Sequence, residues 1–241
     1  MTKNEARNLP RAVASIPIGS PLLVIDAESH DSTVKIARAH GATVVVRPWA
    51  GFVTTRAFAL TQIATPWTFM LDADESLDLE LATALCALAP QATTDAYGVA
   101  RATSFCGRAM HHGAWGGEAP VRLFRTACAR VVAEPAAGGD AELHEHWIVP
   151  GTTERIGGTL LHDSYPTIGA YREKFARYTA LEARGVTPSR GRFARACAIA
   201  ALRFPWLLVA RGGWRDGWRG AFVACASACY PVAVAWKALR S

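Results

Sequence analysis

The first half of the chain alternates short apolar runs with stretches of helical character. The runs PLLVID, ATVVV and WTFMLD, at 21–26, 42–46 and 67–72, have the length and β-branched content of buried strands. Helices are predicted between them, at 31–41 and 54–64. Near-continuous apolar strands that alternate with helices indicate a mostly parallel sheet covered on both faces, which is an α/β architecture.

The pattern changes after Leu88. Strands are predicted at 96–101 and 121–125. The loop between them, GRAMHHGAWGGEAP, is too long for a simple hairpin, so we expect it to form part of a site. Helices dominate from Ile168 onward. The last apolar run, 221–236, carries no charge but is shorter than the roughly 20 residues of a membrane-spanning helix, so it is predicted to be a packed helix or a helix in a membrane interface.

Composition narrows the class of protein. Of the 241 residues 51% are hydrophobic and 19% are charged, which excludes a disordered chain. The formal charge is +6, with basic residues concentrated between Arg172 and Arg240; this suits a phosphate-bearing substrate, an acidic membrane surface or a nucleic acid. The six cysteines form no CxxC pair and the chain starts with polar residues rather than a signal peptide, so we expect reduced, mostly buried thiols in a cytoplasmic protein.

The segment FMLDADES places three acids directly after a predicted strand. If the extended geometry continues through the intervening alanine, Asp72 and Asp74 point the same way. Mg²⁺ and Mn²⁺ favour such oxygen ligands and commonly bind one or two carboxylates together with substrate phosphates. The alternative is a strand end at which Glu75 and Ser76 cap the next helix. This segment alone favours neither interpretation.

Another acid, Asp26, ends the first predicted strand and is followed by a polar turn and a helix N-terminus. In open α/β sheets, ligands bind beyond the carboxyl ends of the strands. We therefore expect Asp26 and Asp72 to lie along one edge of the sheet, where a ligand would be held. The alternative role of Asp26 is to form an Asx turn.

Seven short segments form an ordered set along the chain. They are TKNEARNL, VIDAESHDSTVKIARAHGATVV, WAGFVTTRAFAL, LDADE, GRAMHHGAWGGEAPVRLFR, LHE and LHDSY. Each is a weak signal alone, but the set, from Thr2 to about Tyr178, resembles family 2 glycosyltransferases in order and approximate spacing. It is most similar to the bacterial branch that includes the lipopolysaccharide core β-1,4-glucosyltransferases.

The resemblance implies a GT-A fold with a Rossmann-like nucleotide-binding half, and transfer of a sugar from a nucleotide sugar with inversion at the anomeric carbon. A divalent metal, Mg²⁺ or Mn²⁺, would stabilise the leaving diphosphate as a Lewis acid. By similarity the metal ligands are the DxD pair, Asp72 and Asp74, with Asp74 in direct contact and His162 assisting. The nucleotide-sugar site implied by the resemblance consists of Thr2, Asn4, Glu5, Asp26, Arg56, Asp72 and Asp74.

An inverting displacement also needs a base for the acceptor hydroxyl. Glu145 in ELHEHW is favoured as the base and Glu118 in WGGEAP as an acceptor-binding residue, although either can take the catalytic role; the alternative for Glu145 is a structural salt bridge. Trp115 is predicted to stack on a sugar face, or else to be a core residue. Arg122 is predicted to contact a phosphate, or else to lie on a solvated face, and His162 has a structural alternative.

Two features depart from the family pattern. The similar enzymes have a buried strand directly before the segment that corresponds to Thr2–Glu5, whereas this chain starts at Met1, so the first strand is missing. An empty place in a sheet exposes a hydrophobic edge. We therefore expect poor stability or low activity, and rescue of both by upstream residues. In addition, Ala57 stands where asparagine is common, which removes an amide that could bind the nucleotide.

Taken together, the sequence predicts a GT-A glycosyltransferase domain at 1–165 and a helical, membrane-associating region at 166–241. The predicted enzyme, a hexosyltransferase, uses a nucleotide sugar, with UDP as the expected carrier, and a lipid-linked, lipopolysaccharide or other cell-envelope acceptor. It is expected in the cytoplasm, peripheral on the cytoplasmic face of the inner membrane, with no nucleic-acid partner. The alternative is a truncated, noncatalytic protein of this fold that binds nucleotide or sugar.

Overall fold

The computed structural model describes residues 1–88, 93–133 and 145–240 of the chain, which divide into two compact units. Among the described residues, the first unit takes in 1–101, 118–133 and 145–162, and the second takes in 102–117 and 163–240. The loop that the sequence singled out is therefore split, because most of it belongs to the second unit. The division into functional domains at residue 165 stays a prediction.

The elements follow one another as a mixed α/β chain that ends in helices. The strands are β1 (Leu23–Asp26), β2 (Thr43–Val46), β3 (Trp67–Phe69), β4 (Glu75–Leu77), β5 (Thr94–Phe105), β6 (Arg108–Met110), β7 (Val121–Arg125), β8 (Arg130–Ala133), β9 (Glu145–Ile148) and β10 (Thr152–Tyr165). The helices are α1 (Leu9–Ala14), α2 (Thr33–Ala39), α3 (Phe52–Thr61), α4 (Leu79–Ala87), α5 (Ile168–Arg184), α6 (Arg190–Pro205) and α7 (Gly217–Ala238).

The predicted parallel pairing holds for β1 and β2, which pair in parallel from Leu23 beside Thr43 to Asp26 beside Val46. Strand β3 instead belongs to a six-stranded sheet of order β3-β7-β5-β10-β4, with β6 paired to β5. There β7 is antiparallel to β3 and β5, and β4 is antiparallel to β10. Beyond β3 the sheet is thus largely antiparallel, and the prediction of a mostly parallel sheet is wrong for this part.

The outer edge of β1, opposite β2, is met by Thr2. The Thr2 N–H donates to the Ile25 carbonyl at 2.9 Å and the Ala27 N–H donates to the Thr2 carbonyl at 2.8 Å, which makes a single parallel bridge between Thr2 and Asp26. This bridge occupies part of that edge of β1, and the expectation that upstream residues add a strand stays a prediction.

Three apolar clusters lie in the described part of the first unit: one around Phe124 of β7, and two others. One joins Leu9 and Val13 of α1 to Val24 of β1 and Ala37 of α2. The other surrounds the fully buried Leu81 of α4 with residues of β4, β5 and β10. Asp26 at the end of β1 and Asp72 after β3 belong to neither of these two clusters.

The cap of α4 differs from the prediction. Asp78 is the N-cap, and its side chain accepts a hydrogen bond from the Leu81 N–H at 2.7 Å. Glu75 and Ser76, which were the predicted capping residues, lie in β4 and are buried. Because α4 starts only at Leu79, the carboxylate of Glu75 is too early in the chain to cap it.

The second unit is mainly helical, as predicted from Ile168 onward. Helix α5 starts at that residue, with the Thr167 hydroxyl accepting from the Ala170 N–H, and Gly185 lies at its end. Between α6 and α7 the chain forms a π-helical segment, Trp206–Ala210, and a 3₁₀ turn, Gly213–Asp216. Helix α7 runs through Pro231 without interruption.

The core of this unit is aromatic, and its glycines allow close packing. Phe105, Tyr171 and Val223 are buried together. Where α7 crosses the 3₁₀ turn, a Cβ on Gly220 would lie 1.8 Å from the Gly213 carbonyl oxygen, so only glycine fits there. The cysteines are free thiols, but the prediction that they are mostly buried is wrong: five are exposed and Cys106 is half-buried.

Candidate functional site

The acidic segment after β3 forms a turn rather than an extended strand. Met70 still pairs with β7, since its N–H donates to the Arg122 carbonyl at 2.7 Å. The Glu75 N–H then donates to the Asp72 carbonyl at 3.0 Å and closes a turn through residues 73 and 74. The condition for parallel carboxylates is therefore not met, and Asp72 and Asp74 engage different partners.

Asp72 is held by two arginines. Arg56 of α3 donates to its Oδ1 at 3.1 Å, and Arg122 of β7 donates to its Oδ2 at 3.3 Å. The same Arg122 guanidinium donates to Glu75, whose side chain is fully buried. Arg101 of β5 also approaches Glu75, with its Nη1 3.9 Å from the carboxylate. Two carboxylates and three guanidinium groups thus form one network at the end of β3.

The network shifts the proton affinities of its two carboxylates in opposite directions. Burial tends to raise the pKa of Asp72, but Arg122 and Arg56 outweigh burial and hold its pKa well below the ordinary value. Burial raises the pKa of Glu75, with Arg122 acting against burial and Asp72 adding to it. Burial also tends to lower the pKa of Arg122, yet the neighbouring Asp72 and Glu75 raise it overall, so it stays a cation.

The structure rules out one of the two roles predicted for Arg122, the position on a solvated face. It is 4% exposed, so it does not lie on a solvated face. Its partners are Asp72 and Glu75, and a phosphate contact stays a prediction. The reason is that β7 lies between β3 and β5 and its middle residues, Arg122 among them, are buried.

Asp74 turns toward a histidine. His162 Nε2 lies 3.2 Å from Asp74 Oδ2, and the two side chains are 18% and 26% exposed. Strand β10 brings His162 there, because its antiparallel pairing with β4 sets His162 opposite Glu75. The carboxylate oxygen and the imidazole nitrogen are both metal-ligand types, and both side chains are partly exposed to solvent.

The N-terminal segment is fastened to the loop that follows β1. The buried Asp26 carboxylate accepts from the Thr2 hydroxyl at 2.9 Å, and from the N–H and hydroxyl of Ser29 at 2.8 and 2.6 Å. The Asn4 N–H donates to the Ser29 hydroxyl, and the Glu5 N–H donates to the Thr33 hydroxyl. The bond from Asp26 to the Ser29 N–H spans three residues, one more than in the Asx turn that was its alternative role, and the contact of Asp26 with a base stays a prediction.

The ends of β1 and β3 lie at the same edge of the first unit, as expected. The Met1 amino group, whose pKa is lowered by burial, interacts electrostatically with Asp72. The next residue, Thr2, donates to Asp26. The adjacent residues Met1 and Thr2 therefore interact with the acids at the ends of both strands, Asp72 and Asp26.

The structure describes the side chain of one of the two candidate bases, Glu118, and only the backbone of the other, Glu145. Glu118 is paired to Arg101, whose Nε lies 3.1 Å from its Oε2, and its side chain is 37% exposed. Glu145 starts β9, where it pairs with Ala133, but its side chain lies outside the part of the chain that the structure describes. The choice of Glu145 as base stays a prediction.

Trp115 belongs to the second unit. Its ring stacks on Tyr165, with the centroids 5.2 Å apart, and contacts the cluster around Phe105. This packing agrees with the core role that was its alternative, while its ring also lines a cavity.

Sequence reasoning missed the residues that organise the network. Arg101 bridges Glu118 and Glu75, and Glu75 is the buried centre between two arginines. A signal was present, because Arg101 and Arg122 sit in two apolar strands, where an unpaired cation would be costly. Among the described residues no group of three His, Cys, Asp or Glu side chains could hold a metal by itself.

The fold has solved counterparts among the glycosyltransferases. The chain is similar to the mannosyltransferase PcManGT from Pyrobaculum calidifontis, solved in complex with GDP-Man and Mn²⁺, with a TM-score of 0.54 and 16% sequence identity. The match covers 99% of this chain and 85% of that one. The architecture is therefore the GT-A glycosyltransferase fold.

The family model described as glycosyl transferase family 2 matches residues 1–133, more than half of the chain. The protein belongs to this family. Curated relatives include an uncharacterized glycosyltransferase of Rickettsia bellii, 46% identical over 82 residues, and one of Mycobacterium tuberculosis, 40% identical over 75 residues. These matches take in 34% and 31% of this chain, and 28% and 34% of the lengths of the relatives.

Proposed function

We propose that the protein is an inverting glycosyltransferase that moves a sugar from a nucleoside diphosphate sugar to a lipopolysaccharide or other cell-envelope glycan or lipid. The observation that carries the proposal is the pair formed by Asp74 and His162 beside the arginine-held Asp72, at the end of β3. In this family and fold, such a group at a strand end suits a diphosphate and its cation.

The residues present fit a divalent cation that is shared with the substrate. Asp74 and His162 supply one carboxylate and one imidazole, and Mg²⁺ or Mn²⁺ commonly completes its shell with substrate phosphates and water. Both oxygens of Asp72 already accept from arginines, which supports Asp74 as the direct ligand. When bound, the cation would stabilise the charge that develops on the leaving diphosphate.

The protein's own side chains would do the rest of the chemistry. The acceptor oxygen forms a bond to the anomeric carbon while the bond from that carbon to the diphosphate oxygen breaks, and its electron pair leaves with the diphosphate. A carboxylate on the opposite face takes the acceptor proton. We assign this role to Glu145 and acceptor binding to Glu118, which Arg101 holds in place.

The nucleoside would lie against the N-terminal segment and the loop after β1. Thr2, Asn4 and Glu5 form one side of this region, and their hydrogen bonds to the loop fix its shape. Arg56, which is 8% exposed and bonded to Asp72, would contact the diphosphate side of the nucleotide. The carrier is proposed to be UDP.

The acceptor is proposed to be presented at a membrane surface. Two helical stretches, Arg190–Ala210 and Gly213–Ala238, are long and apolar enough to cross a membrane by length and composition, and 11% and 33% of their apolar windows are buried. Trp206, Trp214 and Trp218 are each more than half exposed. Exposed tryptophans beside arginines suit a membrane interface with anionic lipids, so we place the protein peripherally on the cytoplasmic face of the inner membrane.

The test is nucleotide release from a panel of UDP- and GDP-linked sugars, with Mn²⁺, by wild type and three variants. Asp74→Asn and Glu145→Gln should each lose at least 100-fold in turnover, whereas Glu173→Gln, an exposed carboxylate on α5, should keep it. Undiminished turnover in the first two variants would refute the site. Donor binding by wild type without turnover for any acceptor would support the noncatalytic alternative.

A further inference from the structure

A cavity of 360 Å³ lies within the second unit, and its walls are mainly aromatic. Trp115 stacks on Tyr165, and Tyr165 packs against Tyr171 with ring centroids 4.9 Å apart. Tyr230 of α7 also lines the cavity, and its hydroxyl donates to Glu182 at 2.6 Å. A concave, largely apolar space of this size is the usual form of a site for a small ligand.

The charged side chains that line the cavity are both cations. Lys174 of α5 has its Nζ 4.9 Å from the centre of the Tyr165 ring, and Arg203 enters from α6. The ten lining residues, all in the described part of the chain, include no acid. Glu182 is bonded to the Tyr230 hydroxyl but does not itself line the cavity, so the two cations are the charges on its walls and favour an anionic ligand.

Arg203 also connects the cavity to an exposed apolar surface. Ile199, which lies four positions before Arg203 on the same side of α6, is 44% exposed, and Leu202, one helical turn after Ile199, is 75% exposed. Trp206 and Val209 continue that surface along the following segment, at 52% and 66% exposed. Since these side chains would otherwise face water, a ligand whose charge meets Lys174 and Arg203 could lay an apolar chain along α6.

We propose that this cavity binds the phosphate-bearing head of an amphiphile, with the apolar chain of that molecule on the exposed face of α6. The inference rests on the proposed function in one respect, because there the amphiphile would be the lipid-linked acceptor. Two sources share the chemistry of a phosphate on an apolar chain, a prenyl phosphate and an acylglycerol phosphate.

The experiment is calorimetric titration of the full chain with farnesyl phosphate and lysophosphatidic acid, both below their micellar concentrations. Farnesol lacks the phosphate charge and inorganic phosphate lacks the apolar chain, so both serve as control probes. The variant Lys174→Glu with Arg203→Glu should weaken binding of the amphiphiles at least tenfold. The control, Arg172→Glu with Arg192→Glu, makes the same charge change at exposed positions of α5 and α6 outside the cavity and should stay within twofold.

Tighter binding of farnesyl phosphate or of lysophosphatidic acid would support the site and identify the source of the amphiphile. Equal affinity in the cavity variant and the control would overturn it, and so would farnesol or inorganic phosphate binding as tightly as the amphiphiles. If the charge-reversed protein does not fold, the neutral pair Lys174→Gln with Arg203→Gln gives the same comparison.

The titration separates this site from the proposed function because it contains no sugar donor. If the wild type binds neither amphiphile but transfers sugar normally, the proposed ligand of the cavity is refuted and the proposed function is not. Specific amphiphile binding in a protein that transfers no sugar would refute the transferase assignment and leave the cavity in place.

Discussion

His162 Nε2 lies 3.2 Å from Asp74 Oδ2, a contact between residues 88 positions apart in the chain. Asp72, two positions before Asp74, does not share it and is held by Arg56 and Arg122. The DxD pair is therefore divided: one carboxylate belongs to a network of arginines, and the other lies beside an imidazole where a cation could bind.

This division predicts different effects of the two aspartates. Asp74→Asn should raise the Mn²⁺ concentration needed for half-maximal donor binding by about tenfold or more, since it removes the charged ligand, and His162→Gln should raise it by a smaller factor. Asp72→Asn should change it less than threefold. The measurement is a Mn²⁺ titration of nucleotide-sugar binding, and an equal rise in all three variants would contradict the division.

Arg122 is predicted to be the most costly residue to lose from the network. Arg122→Met leaves the fully buried Glu75 without its nearest cation, and removing one partner of a buried pair typically costs about 3–5 kcal/mol. Adding Glu75→Gln should recover part of this loss, because the uncompensated charge is gone. Urea unfolding of the single and double variants measures both, and a double variant less stable than Arg122→Met would argue against the explanation.

The two carboxylates predict opposite pH dependences of stability. Burial raises the pKa of Glu75 above its ordinary 4.5, so its contribution is complete below that pH and is lost as the pH rises toward the folded-state pKa. Burial opposed by Arg122 and Arg56 leaves the pKa of Asp72 below its ordinary 3.8, so its contribution is present above that pH and is lost as the pH falls.

Unfolding free energies measured at several pH values test these signs. Glu75→Gln should lose less stability than wild type between pH 4.5 and neutrality, and Asp72→Asn should lose less than wild type in acid below pH 3.8. Curves that run parallel to wild type in both windows would rule out these two residues as the cause.

Gly220 is predicted to tolerate no side chain. A methyl group would lie 1.8 Å from the Gly213 carbonyl oxygen, a backbone atom that cannot move aside without shifting α7. We expect Gly220→Ala to destabilise the protein by about 3 kcal/mol or more. The control is Gly191→Ala near the start of α6, where the new Cβ would be 3.7 Å from the Ser189 hydroxyl; comparable melting temperatures of the two variants would be the contrary result.

The exposed face of α6 is predicted to bind lipid. Leu202→Glu places a charge on that face and should weaken binding to phosphatidylglycerol vesicles, measured by co-sedimentation, at least fivefold. The control Leu79→Glu changes a similarly exposed leucine of α4, in the other unit, and should leave binding to these vesicles unchanged. Equal effects of both changes, or equal wild-type binding to phosphatidylcholine and phosphatidylglycerol, would count against a specific membrane face.

The sequence by itself determined the family, the GT-A class of fold and the start of the C-terminal helices. Ordered motifs and apolar periodicity are local properties, so the acids at the ends of β1 and β3 could be located in advance, and α5 starts at Ile168 as predicted. The paired direction of Asp72 and Asp74 could not be predicted, because a turn closed by a backbone hydrogen bond replaces the extended geometry.

Only the tertiary structure decided which acid meets which cation. Asp72 and Glu75 lie on one turn, Arg101 lies in β5 and Arg122 lies in β7, and the antiparallel pairing of β7 with β3 and β5 brings these three segments together. The pKa shifts arise from burial and from charges that are distant in sequence, which no local pattern encodes. The partner of Asp74 depended likewise on the register of β10 against β4, which sets His162 opposite Glu75.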